Sequence, residues 1–340
     1  MTILYVGNKL SKHGLSVTSV ETLGPLLQRM GYDMSLVSEK RLEFVRLIDV
    51  LWHVWTNSKS LKLVIIDAYS TRNFYLLFLT SLLCRLLRIK YVPILRGGNL
   101  VHRLKKNPWL SRMVFDHSYA NVAPSGYLHA MFAKFNYKSV LIPNNIQIKN
   151  YEFCSRTAVV PKILWVRSYH KIYNPQLAIH AVNELYKSNK QVRLCMVGPD
   201  KDGTLQLCKE LVVKYGLEEV VELKGKLSKT EWIELSKNYD LFLNTTTTDN
   251  MPISVMESMA LGLPVVSTNV GGLPYLLEDK VDSLMFEDGA IQQLVECINQ
   301  LCSNPELVHS LSCNGRQKVL RYDWAVVSAQ WKQLIDTCIN

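Results

Sequence analysis

Short apolar runs and amphipathic stretches alternate along this chain almost from its first residues. In the first part, Ile3 to Val6, Met34 to Val37, Leu63 to Asp67, Tyr91 to Leu95, Asn121 to Ala123 and Val140 to Ile142 read as strands. Between them, segments near 17–30, 40–57, 73–88, 107–118 and 126–135 carry the helical period, the first closed by Gly31 as a C-terminal cap. Strand, helix and strand in alternation predict a parallel sheet with crossover helices.

The last of these strands runs into Ile142-Pro143-Asn144-Asn145, and Tyr151 to Pro161 is a poorly patterned connector, so a domain boundary is expected at 150/151. From Lys162 the alternation restarts. Strands are expected at Lys162 to Val166, Val192 to Val197, Val220 to Leu223 and Leu241 to Leu243, with helices at 175–188 and 204–215. A further helix is opened by the capping box Ser228-Lys229-Thr230-Glu231. Helices near 289–302, 305–320 and 323–338 finish the chain. The expectation is an α/β fold with two Rossmann-like domains, 1–150 and 151–322, and a closing helix, 323–340. The cleft such domains share is the default ligand site.

Length agrees with this division, since 340 residues are many for one core. Charge changes the picture more. Residues 1–150 hold 20 Lys and Arg against 7 Asp and Glu, a net +13, whereas residues 151–340 hold 19 against 22, a net −3. The eight cysteines are scattered, without a Cys-x-x-Cys pair or metal-ligand spacing, so reduced thiols in a cytoplasmic protein are expected. The N-terminal apolar run lacks the basic flank and length of a signal peptide. The longest apolar run, Phe74 to Leu87, is 14 residues long and contains Arg85, against the ~20 a bilayer span needs, which favours a buried or surface-docking helix.

Candidate chemistry lies in loops after strand ends, where open parallel sheets bind ligands. In the first domain these are Gly7 to Ser16, with Gly14, and Arg96-Gly97-Gly98-Asn99. The glycines suit either a tight turn with positive φ or a close backbone approach to a ligand. In the second domain the stretch from Leu241 to Pro274 reads as strand, polar loop, short helix, buried strand, glycine turn and a second helix opening at Pro274. Pro252 suits the helix's first turn, and Gly262 with Pro264 ends it, giving a helix of about Ile253 to Leu261. Asp249 precedes this helix and Glu257 sits in its second turn, a spacing that lets two carboxylates accept hydrogen bonds from an extended polyhydroxyl ligand. The free amides at the helix start suit phosphate or hydroxyl oxygens. Alternatively, Glu257 complements the helix dipole and Asp249-Asn250 forms a polar turn. Arg167 and Lys171 follow the first strand of the second domain and suit a diphosphate, or else are solvated surface cations. The histidines are dispersed, no metal cluster is evident, and neither a Walker loop, a Gly-x-Ser-x-Gly elbow nor Gly-x-Gly-x-x-Gly is present.

The segment Asp249-Asn250-Met251-Pro252, four residues, then Glu257-Ser258-Met259-Ala260-Leu261-Gly262-Leu263-Pro264-Val265-Val266-Ser267-Thr268-Asn269-Val270-Gly271-Gly272-Leu273-Pro274 resembles the donor-binding segment of family 4 glycosyltransferases. Weaker similarity covers Ile142 to Asn145, Ile163 to Arg167 and Tyr322 to Trp324. The resemblance implies the GT-B architecture, two Rossmann-like domains facing a central cleft, with the last helix crossing back to the first domain. It implies Asp249 and Glu257 as the catalytic pair, Asp249 on the donor sugar's hydroxyls and Glu257 on the nucleotide ribose. Asn250, Met251, Pro252 and Ile253 would hold that sugar, Arg167 and Lys171 the diphosphate, and Gly14 would lie on the donor side. Arg96, Gly97 and Gly98 would form an acceptor-side loop. Three positions depart from the family pattern: Asp249 stands for Glu, Val166 replaces the glycine before Arg167 with Lys171 one residue closer, and Arg96 stands where many members have histidine.

The expected function is therefore retaining, metal-independent transfer of a sugar from a nucleoside diphosphate sugar, a co-substrate and not a cofactor, to a hydroxyl of a lipid-linked glycan in surface polysaccharide biosynthesis. The basic clusters Arg85 to Lys90 and Arg103 to Lys106 suggest an anionic membrane surface as a partner and a peripheral place on its inner face. Two other readings stay open, a nucleotide-sugar epimerase and a non-catalytic nucleotide-sugar-binding subunit. No signature of nucleic-acid binding accompanies the basic residues.

Overall fold

The computed structural model describes residues 2–9, 17–97 and 99–340; Gly14 and Gly98 lie outside the described residues. The first elements are β1 (Ile3–Val6), α1 (Ser19–Arg29), β2 (Met34–Val37), α2 (Glu43–Thr56), β3 (Leu63–Ala68), α3 (Asn73–Leu86), β4 (Lys90–Leu95), α4 (Leu100–Lys106), α5 (Pro108–Phe115), β5 (Val122–Ala123), α6 (Gly126–Lys134) and β6 (Val140–Leu141). There follow β7 (Lys162–Val166), α7 (Pro175–Ser188), β8 (Arg193–Val197), α8 (Thr204–Tyr215), β9 (Val221–Lys224), α9 (Lys229–Ser236), β10 (Leu241–Asn244), α10 (Ile253–Ala260), β11 (Val265–Thr268), α11 (Leu273–Leu276) and β12 (Leu284–Phe286). Helices α12 (Ile291–Ser303), α13 (Pro305–Leu320) and α14 (Trp324–Ile339) close the chain. Two of these carry no sequence expectation. The edge strand β12 left no signal in the sequence, and α4 is hidden by its basic residues.

The chain forms two compact units, Met1–Pro143 with Ser328–Asn340, and Asn144–Val327. In the first, a parallel six-stranded sheet has the order β2-β1-β3-β4-β5-β6. Its strand β3 is buried at every residue, which requires cover on both faces. Helix α3 holds the longest apolar run and puts Phe74, Leu77 and Cys84 into this core, while Tyr75 and Leu86 stay exposed. Among the described residues no helix is long and apolar enough to cross a membrane.

The second unit has a parallel sheet of order β12-β11-β10-β7-β8-β9. The order reverses between β7 and β10, and in such sheets ligands bind outside the carboxyl ends of the strands at that reversal. Around the sheet lies a core that includes Trp165, Tyr169 and Phe286. The capping box at α9 forms, with Ser228 accepting from the Glu231 amide and the Glu231 carboxylate accepting from the Ser228 amide.

Candidate functional site

At the reversal of the second sheet, Arg167 leaves β7 and the threonine-rich loop leaves β10. The Arg167 amide donates to the Val197 carbonyl at 3.0 Å, continuing the ladder one residue past the strand. Its guanidinium lies 4.3 Å from the centroid of the Tyr173 ring and forms an ion pair with Asp249. The two groups expected at opposite parts of a donor are thus each other's partners here, and both side chains are largely buried. Asp249 also accepts from the Asn250 amide at 2.7 Å.

The four-threonine run fastens this arrangement. Trp165 Nε1 donates to Thr245 Oγ1 at 3.0 Å, and Thr245 Oγ1 donates to the Tyr173 carbonyl at 2.8 Å. Thr246 Oγ1 and the Thr247 amide both donate to the Ile172 carbonyl, at 3.0 and 2.8 Å. The turn 171–173 is therefore bound from beneath, while the Lys171 side chain is exposed and its amide donates to Asp202 at 3.0 Å.

Helix α10 buries nearly its whole surface, with Val255, Met256, Met259 and Ala260 in the core, and Glu257 is its one charged residue. A buried carboxylate needs partners. Glu257 has two: the Tyr151 hydroxyl donates at 2.6 Å, and Lys229 forms an ion pair with it. Burial, then the Glu257 charge, raises the Tyr151 pKa, so the phenol stays a donor. Pro252 is the N-cap of α10 with extended backbone (φ −69°, ψ 121°), not a residue of its first turn as the sequence suggested, and it makes no side-chain cap hydrogen bond. Ser254 Oγ, in that first turn, is buried without a hydrogen-bond partner among the described residues. Met251 is buried, and its carbonyl accepts from Asn144 Nδ2 at 3.2 Å.

Gly271 and Gly272 act on the protein's own backbone. The Gly272 amide donates to the Asp249 carbonyl at 2.9 Å, and a Cβ on Gly272 would collide with the Asn250 carbonyl oxygen. The glycine turn supports the Asp249 loop from below. The structure therefore gathers Arg167, Asp249, Asn250, Met251, Pro252, Ile253 and Glu257 around one sheet reversal. Tyr151, Lys229, Tyr173 and the threonines join them, none of which the sequence singled out. The threonine run after a strand was a readable signal; Tyr151 and Lys229, far from Glu257 in the chain, left none.

In the first unit, Arg96 follows β4 and is not simply a loop cation. Its Nε donates to Asp67 Oδ1 at 2.9 Å, and the Tyr5 hydroxyl donates to the same oxygen at 3.1 Å. Burial opposes the Arg96 charge, but Asp67, Tyr5 and Tyr69 raise its pKa overall. Gly97 is exposed with φ +77°, and a Cβ there would meet nothing, so the turn conformation asks for glycine. Among the described residues no group of three or more His, Cys, Asp or Glu is placed to hold a metal ion.

Residues 159–318 match the family model described as glycosyl transferases group 1, which is 160 of the 340 residues. The chain is 26% identical over 210 residues to one subunit of the phosphatidylinositol N-acetylglucosaminyltransferase of Arabidopsis thaliana, covering 60% of this chain and 45% of that protein. It is 26% identical over 113 residues to an N,N'-diacetylbacillosaminyl-diphospho-undecaprenol alpha-1,3-N-acetylgalactosaminyltransferase of Campylobacter jejuni, covering 33% and 30%. The chain spans less than half the length of these curated relatives. Among solved structures, HepE (Alr3699) of Anabaena in complex with UDP has a TM-score of 0.78 at 17% identity, covering 99% of this chain and 100% of that one. The α/β fold with two parallel six-stranded sheets is that of GT-B glycosyltransferase structures, as expected from the sequence.

Proposed function

We propose that this chain is a retaining, metal-independent glycosyltransferase that moves a sugar from a nucleoside diphosphate sugar to a hydroxyl of a lipid-linked glycan. The observation that carries the reading is the meeting of Arg167 and Asp249 at the β7–β10 reversal, beside the start of α10 and the buried Glu257. The match of 159–318 to the glycosyl transferase model supports it, because that segment contains all three charged residues.

In this reading the donor exchanges partners with the protein. Its diphosphate takes the Arg167 guanidinium, assisted by Lys171 and the α10 amides, and its sugar hydroxyls donate to the released Asp249 carboxylate. The ribose diol donates to Glu257. Asn250, Met251, Pro252 and Ile253 shape the sugar pocket. The C1–O bond to the diphosphate breaks as the acceptor oxygen bonds C1 on the same face, and the acceptor's proton passes to the departing phosphate. Fixed donors aimed at the leaving group lower the barrier because they need no reorganisation.

Arg96, Gly97 and Gly98 belong to the acceptor-side loop in this reading. The names of the two relatives carry lipid or lipid-diphosphate acceptors. With the +13 charge of residues 1–150, they support a lipid-linked acceptor, surface polysaccharide assembly, and a cytoplasmic enzyme held peripherally on an anionic membrane.

The test is a thermal-shift screen with UDP-, GDP-, ADP- and dTDP-sugars, followed by nucleoside diphosphate release with membrane extract. One donor should stabilise the protein and be turned over, and Glu257→Ala and Asp249→Ala should each abolish turnover. Normal turnover in both variants sinks the assignment. Donor binding without release points to the non-transferring subunit; isomerised donor without acceptor points to an epimerase.

A further inference from the structure

The exposed large apolar residues are not evenly spread. Six of the 22 among the described residues, Leu42, Phe44, Val45, Ile48, Trp52 and Trp55, lie in or just before α2. At about 100° per residue, Phe44, Val45, Ile48, Trp52 and Trp55 fall in one arc of roughly 100°. No charged residue shares that arc. Val50 and Val54 lie on another side and are wholly buried in the first core. Helix α2 therefore has two apolar faces, one packed inward and one turned out. Single exposed apolar residues need no explanation, but a row with Phe44 at 72%, Trp52 at 65% and Trp55 at 57% exposure marks a surface that meets something.

We infer that the outward face of α2 is a wedge by which the first unit docks on an anionic lipid bilayer. The inference rests on the membrane part of the proposed function and assigns the residues that enter the lipid. Charge chooses the occupant. Lys40 and Arg41 precede α2, Lys59 follows it, and all three are exposed. Residues 38–112 hold 14 Lys and Arg against 4 Asp and Glu, a net +10, as much as the whole chain. Helix α2 packs on α3, which exposes Tyr75 and Leu86, and α3 packs on α5, where exposed Trp109 lies near exposed Lys105 and Lys106 in sequence. A helix with tryptophans on an apolar arc and basic residues at both ends suits the headgroup boundary: the rings enter the acyl edge and the cations stay among the lipid phosphates. A protein partner has no such need of a net positive border on the neighbouring helices.

Flotation of the full chain with vesicles of phosphatidylcholine alone, and of equal parts phosphatidylcholine and phosphatidylglycerol, tests the inference. The wild-type chain should float with the anionic vesicles, and its tryptophan fluorescence should be quenched by brominated acyl chains. A Phe44→Ser, Trp52→Ser, Trp55→Ser variant should bind at least about tenfold more weakly and lose much of that quenching, with an unchanged thermal midpoint. A Lys105→Ser, Lys106→Ser variant should weaken binding through charge while keeping the quenching. Equal flotation of wild type and the α2 variant overturns the α2 assignment and leaves docking to the basic clusters. No flotation of the wild type overturns both. A solution dimer that the α2 substitutions dissociate, without vesicle binding, gives the face to a second copy and likewise overturns the inference.

Discussion

Glu257 is the one charge on a helix buried almost all round, and its two partners differ in a way that can be measured. The Tyr151 hydroxyl is fixed in the core, whereas Lys229 is more than half exposed and can return to water. Glu257→Gln should keep the tyrosine contact and cost only about 1 kcal/mol in chemical denaturation, while under the proposed function donor affinity falls at least about tenfold, because a ribose diol binds more weakly to an amide than to a carboxylate. Asp249→Asn should behave differently. It leaves the buried Arg167 guanidinium without a counter-charge, so a loss of about 3 kcal/mol should accompany the loss of turnover, read by the same denaturation series. Arg96→Gln should cost a similar amount in the first unit, since the buried Asp67 would lose the charge of its guanidinium partner. Residue identities at 167, 249 and 257 were legible in the chain because their spacing to strands and to Pro252 and Gly262 is local. Their partners were not. Tyr151 and Glu257 are 106 residues apart, and only folding brings them to 2.6 Å.

At the scale of elements, two glycines separate conformation from contact. Gly97 has positive φ with open space around it, so Gly97→Ala should cost about 1 kcal/mol, the backbone term alone. Gly272 is close to the Asn250 carbonyl, and neither backbone can yield without moving the Asp249 loop. Gly272→Ala should cost about 3 kcal/mol or more and lower donor affinity in the thermal-shift assay, although the residue touches no proposed ligand. Both glycines follow buried strands, and the sequence read a tight turn or a close backbone approach at Gly97 and a glycine turn at Gly272. What distinguishes them is the neighbour that a Cβ would meet, which is a property of packing. The strands themselves were readable, down to the two-residue β5 and β6, except the edge strand β12.

For the whole molecule, the division of the chain is not linear. Residues Ser328–Asn340 group with the first unit, where Trp331, Ile335 and Cys338 are buried. Lys62 and Lys90 donate to the carbonyls of Ile339 and Cys338, and the Tyr32 hydroxyl donates to Asp336 at 2.7 Å. Trp331→Ala should therefore destabilise the first unit by about 3–5 kcal/mol, seen in calorimetry as a lowered transition of that unit. A fragment of residues 1–150 should melt below the first unit of the full chain for the same reason. The sequence suggested a cut at 150/151, while the second unit begins at Asn144, whose side chain holds the Met251 carbonyl.

By itself the sequence determined the alternation of strand and helix, the basic first part, and the carboxylates and arginine at strand ends, because period and spacing are local properties of a chain. Only the tertiary structure decided that β7 lies beside β10. That adjacency sets Arg167 against Asp249, the pairing of β10 with β11 sets the glycine pair against the Asp249 loop, and packing on α10 gives Glu257 its tyrosine and lysine. Strand order brings residues from distant parts of the chain together at one sheet edge, and no local pattern in the chain encodes which strands will be neighbours.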